Sequence, residues 1–233
     1  MSASPLLEVE SIDVSYGRAP VLRGVALEVD ANEVVCVIGR NGAGKTTLLR
    51  AVMGVLPVRR GRIRFDGRDV TGWKGHRLAR AGLAWVPQGS SVFPGLTVAD
   101  HLDIALQAGD GSRPRAEVVE LFPVLGERLR QEAQTLSGGE RKMLGIAQAL
   151  MAAPKLMLLD EPTEGIAPAV VAEVRTALLR LAEVCSVALV EQNVDTALAV
   201  STRAYVLERG TVVEQGPTRH LYDSGVIRTR LGL

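Results

Sequence analysis

The sequence predicts an α/β fold built around a mainly parallel β-sheet. Two continuous apolar runs, Val34–Ile38 and Leu156–Leu159, lack polar alternation, which is typical of parallel strands buried on both faces. Strand-like runs alternate with helical patterns along the chain, and this order indicates a parallel sheet covered by helices. The first part adds antiparallel strands, and the middle, approximately residues 88–152, is mostly helical in pattern. We therefore expect residues 1–233 to form one domain with an antiparallel β subdomain and a helical subdomain.

The outer strands are predicted from alternation. In Leu7–Val14 the odd-numbered residues, among them Leu7 and Val9, should share one face, and the even-numbered residues should share the other. Leu22–Val29 is a second strand of this kind. The turn signal Asp66-Gly67 separates two further strands, Arg62–Phe65 and Leu83–Val86.

The remaining elements follow from helical periodicity and from turn residues. The predicted helices are Thr46–Met53, Thr97–Leu106, Arg115–Leu121, Gly138–Met151, Pro168–Val184 and Val194–Val200. The C-terminal part adds the strand Ser186–Val190 and a hairpin of Tyr205–Leu207 and Thr211–Glu214, with Arg209-Gly210 at its turn. We expect residues 109–114 to form a loop.

Composition and residue spacing give no support to several classes of function. The chain has 27 basic and 26 acidic residues, a balance that gives no support to a nucleic-acid-binding face. No apolar run approaches the roughly 18 residues of a membrane-spanning helix, and the first residues lack the features of a signal peptide, so a cytoplasmic location is expected. Cys36 and Cys185 should be buried and reduced. The histidines at 76, 101 and 220 lack metal-ligand spacing, so we expect no metal site made by protein side chains alone.

A glycine-rich loop follows the first buried strand. Gly39-Arg40-Asn41-Gly42-Ala43-Gly44-Lys45-Thr46 matches the pattern G-x-x-x-x-G-K-[ST], and Thr47 comes next. The glycines allow the backbone N–H groups to face phosphate oxygens, and the following helix adds its positive N-terminal end. Lys45 supplies a charge for the outer phosphates, and Thr46 supplies a hydroxyl for Mg²⁺. The loop therefore predicts nucleotide binding.

Two carboxylates follow the second buried strand. Asp160 and Glu161 come directly after Leu156–Leu159, at the edge where α/β sheets bind their ligands. We expect Asp160 to hold Mg²⁺ and Glu161 to act as a general base on an attacking water. Alternation along the strand would let the two side chains reach different atoms.

A second glycine-rich helix start lies upstream of this acidic strand. Leu136-Ser137-Gly138-Gly139-Glu140 resembles the signature motif of ABC ATPases, and the resemblance covers essentially the whole chain. It implies a P-loop NTPase that uses ATP and Mg²⁺. In that family Ser137 and the residues after it would contact the γ-phosphate of ATP held by the opposite subunit. Neither subunit would then complete a site alone.

The resemblance assigns further residues. Tyr16 matches the aromatic residue that stacks on adenine, although a core tyrosine at a strand end has the same pattern. Gln88 matches the loop glutamine that contacts Mg²⁺ and water and connects to the membrane subunit; the alternative is a solvated loop amide. A segment after it resembles the docking site for a permease helix, or is a plain loop on the core; its residues are Phe93, Pro94, Leu96 and Thr97.

Two positions depart from the common pattern. Gln192 stands where the switch histidine is expected, and it can hydrogen-bond the γ-phosphate but cannot become an imidazolium. Pro162–Pro168 replaces the usual Ser-Ala-Leu-Asp loop. Together with Val190-Glu191-Gln192-Asn193 and the ending Arg230-Leu231-Gly232, this segment is similar to the shorter ATPase of branched-chain amino-acid importers. Urea and amide importers are related to it.

The resemblance therefore implies an importer subunit. ATP hydrolysis at a dimer interface would drive uptake of a small solute, with Glu161 as base and Lys45, Gln88 and Gln192 around the γ-phosphate. The implied partners are a second ATPase, identical or different, two permease subunits and, indirectly, a periplasmic or extracellular solute-binding protein, with no nucleic acid. The chain would lie on the inner face of the membrane. Alternatives are a urea or amide importer, a soluble ABC ATPase outside transport, and a non-hydrolytic regulator.

Overall fold

The computed structural model describes residues 4–89, 92–106 and 113–232. The strands are β1 (Leu7–Tyr16), β2 (Ala19–Val29), β3 (Val34–Ile38), β4 (Val58–Phe65), β5 (Arg68–Asp69), β6 (Leu83–Val86), β7 (Leu156–Asp160), β8 (Ser186–Glu191), β9 (Arg203–Glu208) and β10 (Thr211–Pro217). The helices are α1 (Lys45–Val52), α2 (Gly75–Arg80), α3 (Val98–Leu106), α4 (Arg115–Leu121), α5 (Pro123–Gly126), α6 (Gly138–Met151), α7 (Pro168–Ala182), α8 (Val194–Val200), α9 (Thr218–Asp223) and α10 (Val226–Leu231). A short 3-10 helix spans Ala133–Thr135.

The strands form two sheets. One has the order β2-β1-β4-β5 and is antiparallel, and the other has the order β10-β9-β3-β8-β7-β6. The second sheet is parallel from β9 to β6, and only its β10–β9 pair is antiparallel in the part of the chain that is described. The predicted α/β class, with a mainly parallel sheet and additional antiparallel strands, is therefore confirmed.

The central strand β3 explains why its sequence lacks alternation. Val34, Cys36 and Ile38 pack into a core with α6, α7 and α8. Val35 and Val37 face the opposite way, into a core with β1, β2 and α1. Every residue of β3 is therefore buried, as expected for a parallel strand between two layers.

The predicted faces of β1 are wrong beyond Glu10. Leu7, Val9, Ile12 and Val14 are all buried on one side, although their numbers are odd and then even. A β-bulge at Ser11, with φ of 48°, adds one residue and shifts the alternation. The neighbouring strand β4 accommodates the bulge with Gly61 (φ 85°), which has no Cβ. A Cβ at this position would lie 2.3 Å from the Glu10 carbonyl oxygen.

Several boundaries also differ from the prediction. Strands β2 and β4 begin earlier than Leu22 and Arg62, and α7 ends at Ala182 rather than Val184. The short elements β5, α2, α5, α9 and α10 had no clear periodic signal. The predicted hairpin at Arg209-Gly210 is confirmed as β9–β10. Most of the predicted loop 109–114 lies outside the described residues.

Both cysteines lie in the interior of the fold. Cys36 and Cys185 are buried free thiols, as expected. Within the described ranges, no helix is long and apolar enough to cross a membrane.

Candidate active site

Four loops meet at the carboxyl edge of the parallel sheet. The phosphate loop follows β3, Gln88 follows β6, Glu161 follows β7 and Gln192 follows β8. Because β3, β8, β7 and β6 are parallel neighbours, these loops leave the sheet at one edge. The topology therefore assembles residues that are more than 150 positions apart in the sequence.

The phosphate loop is held between the sheet and α1. Gly44 precedes the helix with φ of 111°, and a Cβ there would lie 2.7 Å from the Leu22 side chain. The Ala43 N–H donates to the Arg40 carbonyl at 3.1 Å, and the Ala43 carbonyl accepts from Gly210 N–H at 2.9 Å. The N–H groups of the first turn of α1 have no partner within the helix, and this leaves them available to an anion.

A cavity of about 390 Å³ lies in front of this loop. Its lining residues are Val21, Asn41, Gly42, Gly44, Lys45, Thr46, Thr47, Gln88, Glu161 and Glu164. Three of the sequence-predicted catalytic groups, Lys45, Gln88 and Glu161, thus share one cavity. The fourth, Gln192, does not line it.

Lys45 is the buried cation of the cavity. Its ammonium donates to the carbonyls of Gly39 at 2.8 Å and Arg40 at 3.1 Å. It also forms an ion pair with Glu161 at 2.8 Å, and both side chains are almost fully buried. An entering phosphate would have to compete with the Glu161 carboxylate for this charge.

Asp160 lies behind Thr46 and offers an oxygen pair suited to a hard cation. The Thr46 hydroxyl donates to Asp160 Oδ1 at 3.1 Å. Asp160 Oδ2 is buried without a hydrogen-bond partner among the described residues. Burial raises the pKa of Asp160, with the neighbouring Glu161 charge acting in the same direction. Hydroxyl and carboxylate oxygens are the ligands Mg²⁺ prefers, so this pair fits the ion.

Glu161 occupies a strained position after β7. Its φ is 49°, and its N–H donates to the Val190 carbonyl at 3.0 Å. The Lys142 ammonium on α6 donates to the Glu161 carbonyl at 3.0 Å. The Gln88 amide donates to Glu161 at 3.5 Å and also to Glu164. The backbone of Glu161 is thus held by β8 and α6, and its side chain is held by Lys45 and Gln88.

The adenine-stacking prediction concerns the end of β1. Tyr16 is exposed, with 43% of its surface accessible, so the alternative of a core tyrosine is wrong. Its hydroxyl accepts a hydrogen bond from Arg50 at 3.1 Å. The ring is therefore free to contact a base, and its stacking role stays a prediction.

Gln192 lies beside the phosphate loop, but it lines a different pocket from Lys45. The preceding carbonyl, of Glu191, accepts from Gly39 N–H at 3.3 Å. The exposed Gln192 side chain lines a separate pocket of about 330 Å³, together with Tyr222 and Arg228. A role at the γ-phosphate would require the side chain to turn toward Lys45.

The second glycine-rich motif begins α6 with a capping box. Ser137 Oγ accepts from Glu140 N–H at 3.2 Å, and Glu140 accepts from Ser137 N–H at 2.7 Å. Glu140 also pairs with Arg128 at 3.0 Å, so its carboxylate is already engaged. Neither these two residues nor Gly138 and Gly139 line the cavity that contains Lys45. The motif therefore faces a different surface from this chain's own phosphate loop.

The predicted docking segment presents an exposed aromatic ring. Phe93 is 59% accessible and stacks on buried His101, with ring centroids 5.7 Å apart. The Phe93 N–H donates to His101 Nε2 at 2.9 Å, and the opposite ring nitrogen contacts the Thr97 carbonyl at 2.8 Å. His101 is thus a buried support for an exposed loop.

Sequence reasoning missed three polar residues at this edge. Glu191 accepts hydrogen bonds from two loops, Glu164 contacts Gln88, and Lys142 contacts the Glu161 carbonyl. A signal for Glu191 was present, because it ends a buried strand in the same way as Asp160. Lys142 had none, since its partner lies 19 residues away on another element.

Comparison with known proteins finds relatives that are ATP-binding proteins of transport or export systems. Residues 22–164 match the family model of the ABC transporter. The high-affinity branched-chain amino acid transport ATP-binding protein BraG of Pseudomonas aeruginosa is 41% identical, over 89% of this chain and 91% of that protein. The lipopolysaccharide export system ATP-binding protein LptB of Escherichia coli K12 is 37% identical, over 97% of both chains. The probable branched-chain amino acid transport ATP-binding protein LivF of Archaeoglobus fulgidus is 33% identical over 94% of both.

Solved structures agree with the sequence relatives. The ADP conformation of MJ1267, an ATP-binding cassette of an ABC transporter, superposes with a TM-score of 0.86 at 25% identity, covering 97% of this chain and 98% of that one. CbiO1 of Clostridium perfringens, part of the transporter complex cbiONQ, gives 0.82 at 26% identity, covering 99% and 97%. ABC ATPase subunits work as dimers with transmembrane subunits. The chain belongs to the ABC transporter family and is one of its ATP-hydrolysing, ATP-binding subunits.

Proposed function

We propose that this subunit powers an ABC importer, with branched-chain amino acids as the first candidate solute. One observation carries the proposal: Lys45, Gln88 and Glu161 share a single cavity with the phosphate loop at the carboxyl edge of the sheet. The 41% identity to BraG over most of both chains supports the solute class.

The phosphate loop binds the triphosphate. Backbone N–H groups of Gly44 to Thr47, at the start of α1, face the phosphate oxygens, and Lys45 exchanges its Glu161 partner for the outer phosphates. Tyr16 stacks on the adenine, since its ring is exposed at the end of β1. Binding therefore separates Lys45 from Glu161 and frees a carboxylate in the cavity.

The freed carboxylate of Glu161 takes the proton of the attacking water. Gln88 lies within hydrogen-bond reach of Glu161 and orients that water, and Gln192 turns in to donate to the γ-phosphate. Thr46, Asp160 and Gln88 would hold Mg²⁺, which when bound neutralises charge on the phosphate oxygens. Buried side chains around Lys45 exclude bulk water and strengthen these interactions.

The complete site is formed by two subunits. Ser137, Gly138, Gly139 and Glu140 lie outside the chain's own cavity and serve the nucleotide bound to the second ATPase, which is identical or different. Two permease subunits and a solute-binding protein complete the importer. The subunit then lies on the inner face of the membrane without nucleic acid.

Docking to the permease uses the face next to Gln88. A cavity of about 300 Å³ there is lined by Trp85, Val86, Pro87 and Gly89 on one side and by α6 on the other. Phe93 supplies an exposed apolar ring nearby in the sequence, and Gln88 contacts Glu161. Movement of a permease helix in this cavity would therefore reach the catalytic carboxylate.

Replacement of Glu161 tests the catalytic assignment. Glu161→Gln should keep ATP binding, and strengthen it because Lys45 loses a competing charge, while turnover falls by about 100-fold or more. ATP affinity and phosphate release are measured on the same preparations, with exposed Glu173→Gln as the control. Turnover equal to that of the wild type in Glu161→Gln would contradict the assignment.

The transported solute requires a cellular test. A strain lacking the chain should lose uptake of labelled leucine, isoleucine and valine, and the wild-type chain, but not Glu161→Gln, should restore it. Loss of urea or amide uptake instead would assign the related importers. Accumulation of lipopolysaccharide would favour an export role, which the 37% identity to LptB makes the second candidate. Co-purification with ribosomes rather than membranes would favour a non-transport ATPase.

A further inference from the structure

Glu191 is a buried carboxylate to which the proposed mechanism gives no role. It ends β8 and is 2% accessible. Its Oε1 accepts from the N–H of Thr163 at 3.1 Å and from the Thr163 hydroxyl at 2.7 Å. Its Oε2 accepts from the N–H groups of Gln192 at 3.1 Å and Asn193 at 3.2 Å. One carboxylate therefore joins the loop after Glu161 to the loop that carries Gln192.

These contacts explain how a carboxylate can be buried here. Burial raises the pKa of Glu191, but bonds from Thr163 and Asn193 act in the opposite direction. All four donors point N–H or O–H groups at its oxygens, so the arrangement matches the ionised form. Both oxygens are occupied by these donors, which leaves no position for a metal ion or for a proton taken from water.

The backbone of Glu191 adds a third connection. Its carbonyl accepts from Gly39 N–H, the first residue of the phosphate loop, at 3.3 Å. Thr163 follows Glu161 by two residues and is itself buried. A single residue thus contacts the loops that carry the phosphate site, the proposed base and the proposed switch residue.

We propose that Glu191 is a positioning residue for ATP hydrolysis, which fixes the loop of Glu161 relative to Gln192. The inference rests on the proposed function, because it takes Glu161 and Gln192 as the groups that act on water and the γ-phosphate. In a switch loop without an imidazole, the carboxylate of Glu191 supplies the connection between the two loops. Loss of either pair of hydrogen bonds lets Gln192 and Glu161 move independently.

Glu191→Gln keeps the shape of the side chain and disrupts this connection. The amide has one acceptor oxygen, so its NH₂ group must face either the Thr163 donors or the N–H groups of Gln192 and Asn193. The kcat for ATP should fall by about 10- to 100-fold, while the KM for ATP stays within about threefold. The matched control is Glu173→Gln, the same change at an exposed glutamate of α7. The full chain is assayed in the assembly in which the wild type hydrolyses ATP.

Thr163→Val gives a second, milder variant that removes one donor to Glu191. We expect kcat to fall by about 3- to 10-fold alone, and by less than about twofold when added to Glu191→Gln, because both changes break the same connection. Thr176→Val on α7 is its control, since that exposed hydroxyl donates only to the Ala172 carbonyl in the described structure. If Glu191→Gln does not fold, Thr163→Val alone decides: turnover equal to that of the wild type overturns the inference.

The outcomes separate this inference from the proposed function. Unchanged kcat in Glu191→Gln, or a lower melting temperature with unchanged turnover per folded molecule, overturns the role of Glu191. Independent, additive effects of the Glu191 and Thr163 variants also overturn it. If Glu161→Gln retains full turnover as well, the proposed site itself is wrong.

Discussion

At the scale of single residues, Thr46 is placed to act through its hydroxyl. The hydroxyl lies 3.1 Å from Asp160 Oδ1, and Asp160 Oδ2 is a buried oxygen without a partner in the described ranges. A buried carboxylate oxygen left without a donor is costly, and a bound cation would offset that cost. We therefore expect a change at Thr46 to alter the Mg²⁺ requirement of the enzyme more than its affinity for the nucleotide.

Two substitutions at Thr46 separate its hydroxyl from its shape. Thr46→Val should raise the Mg²⁺ concentration for half-maximal ATPase activity by about tenfold or more, because a ligand oxygen is lost. Thr46→Ser keeps the hydroxyl and should stay within about twofold of the wild type. Titration of activity with Mg²⁺ at fixed ATP measures both. Equal Mg²⁺ requirements in the two variants would contradict a ligand role for the hydroxyl.

The positions of candidate site residues could be predicted from the sequence where chemistry and strand order coincide. Lys45, Thr46, Asp160 and Glu161 could be named because each lies at or just after the end of a buried strand, or at the start of the helix that follows it. The surroundings of Gln192 could not be predicted, since it is exposed and shares a pocket with Tyr222 and Arg228 from the distant C-terminal helices. The catalytic and binding roles themselves stay predictions until the variants are measured.

At the scale of elements, the bulge in β1 determines which residues face the core. Ser11 has a positive φ, and Gly61 on β4 lies so close that a Cβ would approach the carbonyls of Glu10 and Ser11. If β1 were regular through Ser11, Ile12 and Val14 would point to solvent, and the antiparallel sheet would lose part of its buried face.

Gly61→Ala should destabilise the fold more than a change at another left-handed glycine. Gly67→Ala is the control, because its φ of 72° is similar but a Cβ there meets no atom within 4 Å. The control should cost about 1 kcal/mol through backbone strain alone. Gly61→Ala should cost a further 1–3 kcal/mol or so, because the strands must separate. Unfolding in urea measures both, and equal costs would show that the close approach is unimportant.

The prediction of elements failed in two places, at the bulge of β1 and in the short helices near the C-terminus. Alternation of apolar and polar residues predicts the face of each residue only while the strand is regular. The predicted faces of β1 are therefore correct up to Glu10 and reversed after Ser11. The helices α9 and α10 have six residues each, too few for a 3.6-residue period to be distinct. By contrast, β3 and β7 were recognisable, because strands buried on both faces leave no polar positions.

At the scale of the whole molecule, the two proposed anion sites of one chain lie apart. Lys45 lines the cavity of the phosphate loop, whereas Ser137 begins α6 outside that cavity. A chain that carries both sites but does not join them fits a head-to-tail dimer with two shared nucleotide sites. The organisation into one domain with a helical subdomain stays a prediction.

Mixing two inactive variants tests whether the sites are shared. Lys45→Ala removes the phosphate charge, and Ser137→Arg blocks the start of α6. Each variant alone should have less than about 5% of wild-type activity, because both composite sites carry a defect. An equal mixture should recover about a quarter of wild-type activity, since random pairing leaves one intact site in half of the dimers. No recovery would contradict a site shared between two copies of this chain.

The burial of Cys36 and Cys185 has a practical consequence for labelling experiments on the dimer. Cys36 lies in the central strand and Cys185 precedes β8; burial raises the pKa of Cys36 well above its usual value and that of Cys185 to about 12. The thiolate is the form of cysteine that attacks thiol reagents, so neither native cysteine should react in the folded state. A fluorophore or spin label attached to a new cysteine in place of exposed Leu179 on α7 would therefore report from a single position. With this one introduced cysteine, and without removal of the native ones, the chain is suited to distance measurements between the two subunits of a nucleotide-bound dimer.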